Sequence, residues 1–132
     1  MTADARRRYD SSGRQAAAER RRTAILDAAA DQFAVYGWVR TTLASVAAQA
    51  GVSVELIGQR IGSKSDLLLG ALRHRAFRND GDLRAAIVAL DLPARPPAER
   101  IDLMVGFAAD SLSRIAPFVP ALHQAAESDT SD

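Results

Sequence analysis

An all-α fold is predicted by three features of the sequence. Apolar residues recur three and four apart through most of the chain, the period of an amphipathic helix. No stretch alternates apolar and polar residues as a half-buried strand does. Glycine, proline or a Ser/Thr pair stands where one periodic segment gives way to the next.

Residues 1–14, MTADARRRYDSSGR, are polar, hold an RRR cluster and lack an apolar period, so a flexible basic arm is expected there. Such an arm is either a solvated tail or an Arg-rich extension that follows a DNA backbone or enters a minor groove. The first helix is expected from Gln15 to Tyr36. Ile25, Ala29, Phe33 and Tyr36 form its stripe, widened by Leu26 and Ala30. Gly37 suits a left-handed stop. Thr41-Thr42 offers a hydroxyl cap to a short helix, Leu43 to Ala50, with Leu43, Val46, Ala47 and Ala50 on one face. Gly51-Val52-Ser53 interrupts it. Gly51 can take the positive φ of a tight turn, and Ser53 can cap a further helix with Val54, Ile57 and Ile61 on one face.

Gly62 ends that helix, and Ser63, three residues before Asp66, is a variant capping box. It opens a fourth helix whose body is LLLGALRHRAFR. Asn79-Asp80-Gly81 reads as a turn. A short helix from Leu83 to Leu90 precedes a loop holding Pro93, Pro96 and Pro97. A longer helix, from Pro97 or Ala98 to Ile115, places Ile101, Met104, Val105, Ala108, Leu112 and Ile115 on one stripe. That stripe is expected to be buried against the fourth helix or a partner. Pro117 and Pro120 break the pattern. ALHQAAE has the length for two helical turns, and ESDTSD is expected to fray.

With 132 residues, 48% of them hydrophobic and 25% charged, the chain has the bulk of one small globular domain, or of a small domain and part of another. The absence of cysteine excludes disulfides and thiolate metal sites. His74 and His123 are the only imidazoles and lie far apart in sequence, so no metal site is expected. No apolar run approaches the ~18 residues of a membrane span. RRRTAILDAAA has the arginines of an export signal, but Asp27 and Asp31 fall in what would be its apolar core, so a cytoplasmic protein is expected. Residues 1–78 hold 13 Lys/Arg against 7 Asp/Glu, a charge of +6, and residues 79–132 hold 4 against 9, a charge of −5. The first part is therefore the one that would meet a polyanion. No nucleophile elbow, His/carboxylate metal spacing or paired histidine points to catalysis, so neither an enzyme nor a cofactor is expected.

The glycines of GVSVELIGQRIGSKSDLL raise the question of a phosphate loop. Gly58 and Gly62 are one residue too close for that motif, Ser63 separates Gly62 from Lys64, and no β-like segment precedes them. A short helix, a Gly51-Val52-Ser53 turn and a second short helix instead form a helix-turn-helix. The first helix crosses the DNA backbone. The second lies in the major groove, which is about 12 Å wide and admits one helix.

The run ILDAAADQFAVYGWVRTTLASVAAQAGVSVELIGQRIGSKSDLL resembles the N-terminal domain of the tetracycline-repressor (TetR) family. The resemblance rests on Ile25-Leu26, Ala28-Ala29, Phe33, Gly37, Thr41-Thr42, Val46-Ala47, Ala50-Gly51-Val52-Ser53, Ser63-Lys64 and Leu67-Leu68, all in order and without a gap. It covers roughly residues 20–75. It implies a helix-turn-helix DNA-binding domain over 15–64 and a shortened helical ligand-binding and dimerisation region over 65–132. The recognition helix departs from the family at Glu55-Leu56-Ile57-Gly58-Gln59-Arg60-Ile61. Gly58 stands where a phosphate-gripping tyrosine is usual, and Arg60 where a histidine is usual.

Gln59 and Arg60 are the first candidates for base edges, since Gln suits adenine and Arg suits guanine. Glu55 can accept from a cytosine amino group or repel phosphate. Val54, at the start of the helix, is expected to pack, with contact to a thymine methyl as its alternative. Thr42, Ser53 and Lys64 are backbone candidates: hydroxyls and N–H groups at helix N-termini suit an anion, and Thr42 and Lys64 match family positions that touch phosphate. Arg40 adds a further phosphate contact. Trp38 is expected to pack, and His74 to be structural. Arg20, Arg21 and Arg22 point around a helix, so they cannot all face DNA.

The resemblance implies a transcriptional regulator, a repressor by occupancy of a promoter operator. It also implies double-stranded DNA as partner, a small-molecule effector and a dimer. Only 54 residues follow Arg78, about three helices, enough for one side of a pocket with the fourth helix but without room for the late dimerisation helices, so an effector is in doubt. The alternative is a helical interaction protein that pairs with a full-length relative without reading DNA.

Overall fold

The computed structural model describes the backbone of residues 2–77 and 82–130, and the side chains of 11–77 and 82–128. Every regular element among them is helical. The order is α1 (Thr2–Arg40), α2 (Leu43–Ala50), α3 (Val54–Arg60), α4 (Lys64–Ala76), α5 (Leu83–Ala89), α6 (Pro97–Ile115) and α7 (Val119–Thr130). Single 3-10 turns stand at Leu92–Ala94 and Ala116–Phe118. The turn expected at Asn79-Asp80-Gly81 lies outside the described residues.

α1 is the spine. Ile25, Ala28, Ala29 and Phe33 on one side of it join Val46 and Ala47 of α2, Ile57 of α3, and Leu67, Leu68 and Ala71 of α4 in one core. Phe118 of the second 3-10 turn and Ala121 of α7 complete the same core. The helix-turn-helix and the C-terminal segment therefore share one apolar interior.

Four expectations are corrected. The arm over 1–14 has helical backbone from Thr2. Ala and Arg are good helix formers, and extending a helix already nucleated downstream fixes one residue per hydrogen bond gained. Tyr36, expected in the core stripe, is 57% exposed, while Gln32 is buried. Gly37 takes φ 78 and ψ −167, a conformation reserved for glycine, and swings the chain out of helix before the stripe can continue. The apolar stripe of α6 faces outward, with Ile101, Val105 and Leu112 each more than 60% exposed. α6 packs on α4 with a neighbouring, less apolar face. There Phe107 stacks on Phe77 with ring centroids 6.3 Å apart, Ser111 is buried, and Arg114 Nη1 donates to the Ala76 carbonyl at 3.0 Å. A guanidinium capping the open carbonyls at the end of α4 favours that face. Finally, the tail expected to fray from Glu127 stays in α7 as far as Thr130.

Pro117 sits in the second 3-10 turn, and Pro120 lies in the first turn of α7, where a missing N–H costs nothing.

Candidate nucleic-acid interface

The N-termini of α2, α3 and α4 are each fixed by a side-chain cap. Thr42 caps α2: its Oγ1 accepts from Ser45 N at 3.0 Å, while Thr42 N donates to Ser45 Oγ at 3.0 Å, a reciprocal box. Thr41, the other half of the expected cap, is fully buried instead. Gly51 ends α2 at φ 72, ψ 34, and Val52 N donates back to the Ala47 carbonyl at 3.0 Å. Ser53 then caps α3, its Oγ accepting from Leu56 N at 3.1 Å. Ser63 and Asp66 close the box that opens α4. The bonds from Ser63 hold the Asp66 carboxyl below its ordinary pKa.

α3 is seven residues long and has one fully buried side chain, Ile57. Helical geometry places Glu55, Gly58 and Gln59 on the side away from Ile57, with Val54 and Arg60 at the flanks. All five are exposed. Gly58 is helical, with open space where a Cβ would stand. Arg40 and Thr42 are exposed on the turn that leads into α2.

Lys64 is half-buried at the start of α4, its Nζ 4.4 Å from the centroid of the Trp38 ring. Partial burial lowers its pKa. Trp38 also stacks on Phe33, centroids 5.9 Å apart, so its ring packs as expected. The Trp38 ring, two residues before Arg40, thus joins Lys64 to the Phe33 core. The three arginines of α1 separate as helical geometry requires. Arg20 and Arg21 line a cleft with Ala50, Gly51 and Val52, beside the turn between α2 and α3, whereas Arg22 lines another with Ile61, Asp66 and Arg73.

One set of residues was not singled out by sequence reasoning. Gln32, 8% exposed, donates from Nε2 to the Ser45 carbonyl at 3.0 Å and to Gln49 Oε1 at 2.8 Å, and accepts from Ser45 Oγ at 2.6 Å. Gln49 Nε2 donates to Asp31 Oδ2 at 3.1 Å, and Arg75 donates to Asp31 Oδ1 at 2.6 Å. A polar chain thus ties α4 through α1 to the N-terminus of α2. Its sequence signal is a glutamine inside an apolar stripe, between Ala29 and Phe33. His74 lies beside this chain, with Nε2 2.7 Å from Asp27 Oδ1, a structural pairing of α4 to α1.

Among the described residues no group of His, Asp or Glu is placed to hold a metal ion, and no helix is long and apolar enough to cross a membrane.

Residues 25–71 match the family described as bacterial regulatory proteins, tetR family. The chain is 35% identical over 85 residues to the HTH-type transcriptional regulator BetI of Agrobacterium fabrum, covering 64% of this chain and 39% of that protein. It is 35% identical over 95 residues to BetI of Rhizobium meliloti, covering 70% of this chain and 45% of that protein. BetI of Brucella canis matches at 35% over 85 residues, covering 64% and 41%. The matched region thus spans less than half the length of these curated relatives. No solved structure gives a significant match.

Proposed function

We propose that this chain, a member of the tetR family through its residues 25–71, is a DNA-binding transcriptional regulator that occupies a promoter operator as a repressor. The observation that carries the reading is the construction of α3. One buried isoleucine anchors it to the core, and the opposite side, with Glu55 and Gln59, is left exposed, as a helix that enters a major groove requires. Gln59 reads a base edge from the centre of that side. Arg60, at the flank, reaches a guanine or a phosphate, and Val54 a thymine methyl. Glu55 takes a cytosine amino group. Gly58, without a side chain, lets the helix backbone approach the groove.

Arg40, Thr42, Ser53 and Lys64 contact the phosphates on either side of the groove. Thr42 and Ser53 can do so while capping, because the free N–H groups of a helix N-terminus favour an anion. The basic residues that precede Arg78 supply the attraction. A two-half-site operator would take two copies, from this chain or a longer relative. The DNA it reads lies in the cytoplasm. The alternative of a pairing protein that does not read DNA is not favoured by the relatives, all of which are transcriptional regulators by name.

The test is selection from a random duplex library at near-physiological salt, followed by sequencing. An enriched motif is expected. Arg60→Ala and Gln59→Ala should each lose ~1–3 kcal/mol of discrimination at one position of that motif. Absence of any enrichment by folded protein would refute specific reading by this chain.

A further inference from the structure

The C-terminal helix reaches the reading head at one point. Gln124 of α7 accepts a 2.8 Å hydrogen bond at Oε1 from the backbone N–H of Trp38, a contact 86 residues apart in sequence and partly buried. It can come this close because Gly37 has no side chain: a Cβ there would stand 2.9 Å from the same oxygen. Trp38 is in turn the hub of the DNA-facing turn. Its ring stacks on Phe33 of the core and carries the Lys64 ammonium, and its backbone leads within four residues to Arg40 and the Thr42 cap.

From this geometry we infer that Gln124 is a positioning residue for the phosphate contacts of the reading head, acting through Trp38. The inference rests on the DNA-binding role proposed above. It lies outside the residues matched to the family, which end at 71. The physical logic is preorganisation. Gly37, at positive φ, leaves the turn between α1 and α2 intrinsically loose. The Gln124 amide removes that looseness by holding the first N–H after the glycine. An ordered turn presents Arg40 and Thr42 without an ordering cost at the moment of binding. The same anchor fixes the ring from which Lys64 must transfer its ammonium to a phosphate. Without Gln124, the Trp38 N–H loses its acceptor and the turn is ordered only when DNA arrives.

The experiment uses the full chain and an end-labelled duplex pool of random sequence. Its phosphate contacts alone support binding, so no operator need be known. Affinity is read by anisotropy across a salt series for wild type, Gln124→Ala and Gln124→Glu, with the thermal midpoint of each recorded. Gln124→Ala is expected to bind about five- to tenfold more weakly, the equivalent of one lost hydrogen bond. Its log–log salt slope should stay that of wild type, because the same phosphate contacts form once DNA has ordered the turn. Gln124→Glu keeps the accepting oxygen and should restore affinity to within about twofold.

Trp38 is the only tryptophan, so its emission reports the site alone. In wild type that emission should change as DNA is added and Lys64 leaves the ring. Wild-type affinity in folded Gln124→Ala, or a salt slope that falls with the affinity, would overturn the proposal while leaving DNA binding intact. If Gln124→Ala does not fold, unchanged Trp38 emission in wild type on saturating DNA overturns it. A wild type with no salt-dependent DNA binding removes both this proposal and the regulator reading.

Discussion

At the residue scale, the helix-turn-helix is held by caps of the Ser/Thr and carboxylate type. Asp66 shows what such a cap does to titration. Its carboxylate accepts from Ser63 N at 2.9 Å, and the bond lowers its pKa. A carboxyl lowered on folding contributes stability that is present above its unfolded pKa and is lost as pH falls through the folded one. The thermal midpoint of Asp66→Asn should therefore lie below wild type at neutral pH, and the gap should close as pH drops through the acid carboxylate range. Paired melts across that range check this; a gap that stays constant with pH would detach the effect from the charge. The neighbouring caps do not titrate, so they carry no such signature.

At the element scale, α3 is a helix that cannot stand alone. Seven residues are too few to be stable by propensity. Its free energy comes from Ile57 in the core, the Ser53 cap and the short turn to α2. Gly58 works against it. Because a Cβ at that position meets nothing within 4 Å, Gly58→Ala should raise stability by ~1 kcal/mol, read from chemical denaturation. A loss would place something against Gly58 that the free chain does not show. Comparing the same variant on DNA then tests the close approach proposed for this glycine, since an added methyl would weaken binding only if the helix backbone meets the groove wall.

At the scale of the whole molecule, one core joins the reading head to the C-terminal helices, and the widest apolar stripe is not part of it. Ile101 at 66%, Val105 at 63% and Leu112 at 65% exposure all lie on the outer side of α6. Replacing Val105 and Leu112 together by Gln should leave the stability of the dilute chain within about 0.5 kcal/mol. A loss above about 2 kcal/mol in thermal or denaturant unfolding would put the stripe inside the fold.

The sequence by itself determined the helix boundaries in the reading head, because caps and glycines are local chemistry. Thr42, Gly51, Ser53, Gly62 and Ser63 act within three or four residues of themselves, and Ile57 declares its face by spacing alone. Tertiary structure decided what periodicity cannot rank. It chose the Phe107–Ser111–Arg114 face of α6 over the more apolar one, because Phe77 and the open Ala76 carbonyl waited on α4. It exposed Tyr36 and buried Gln32, because partners for the glutamine amide came from α2. It brought Gln124 to Trp38 across 86 residues. Spacing states which side chains share a face, but only the packed chain states which face finds a partner.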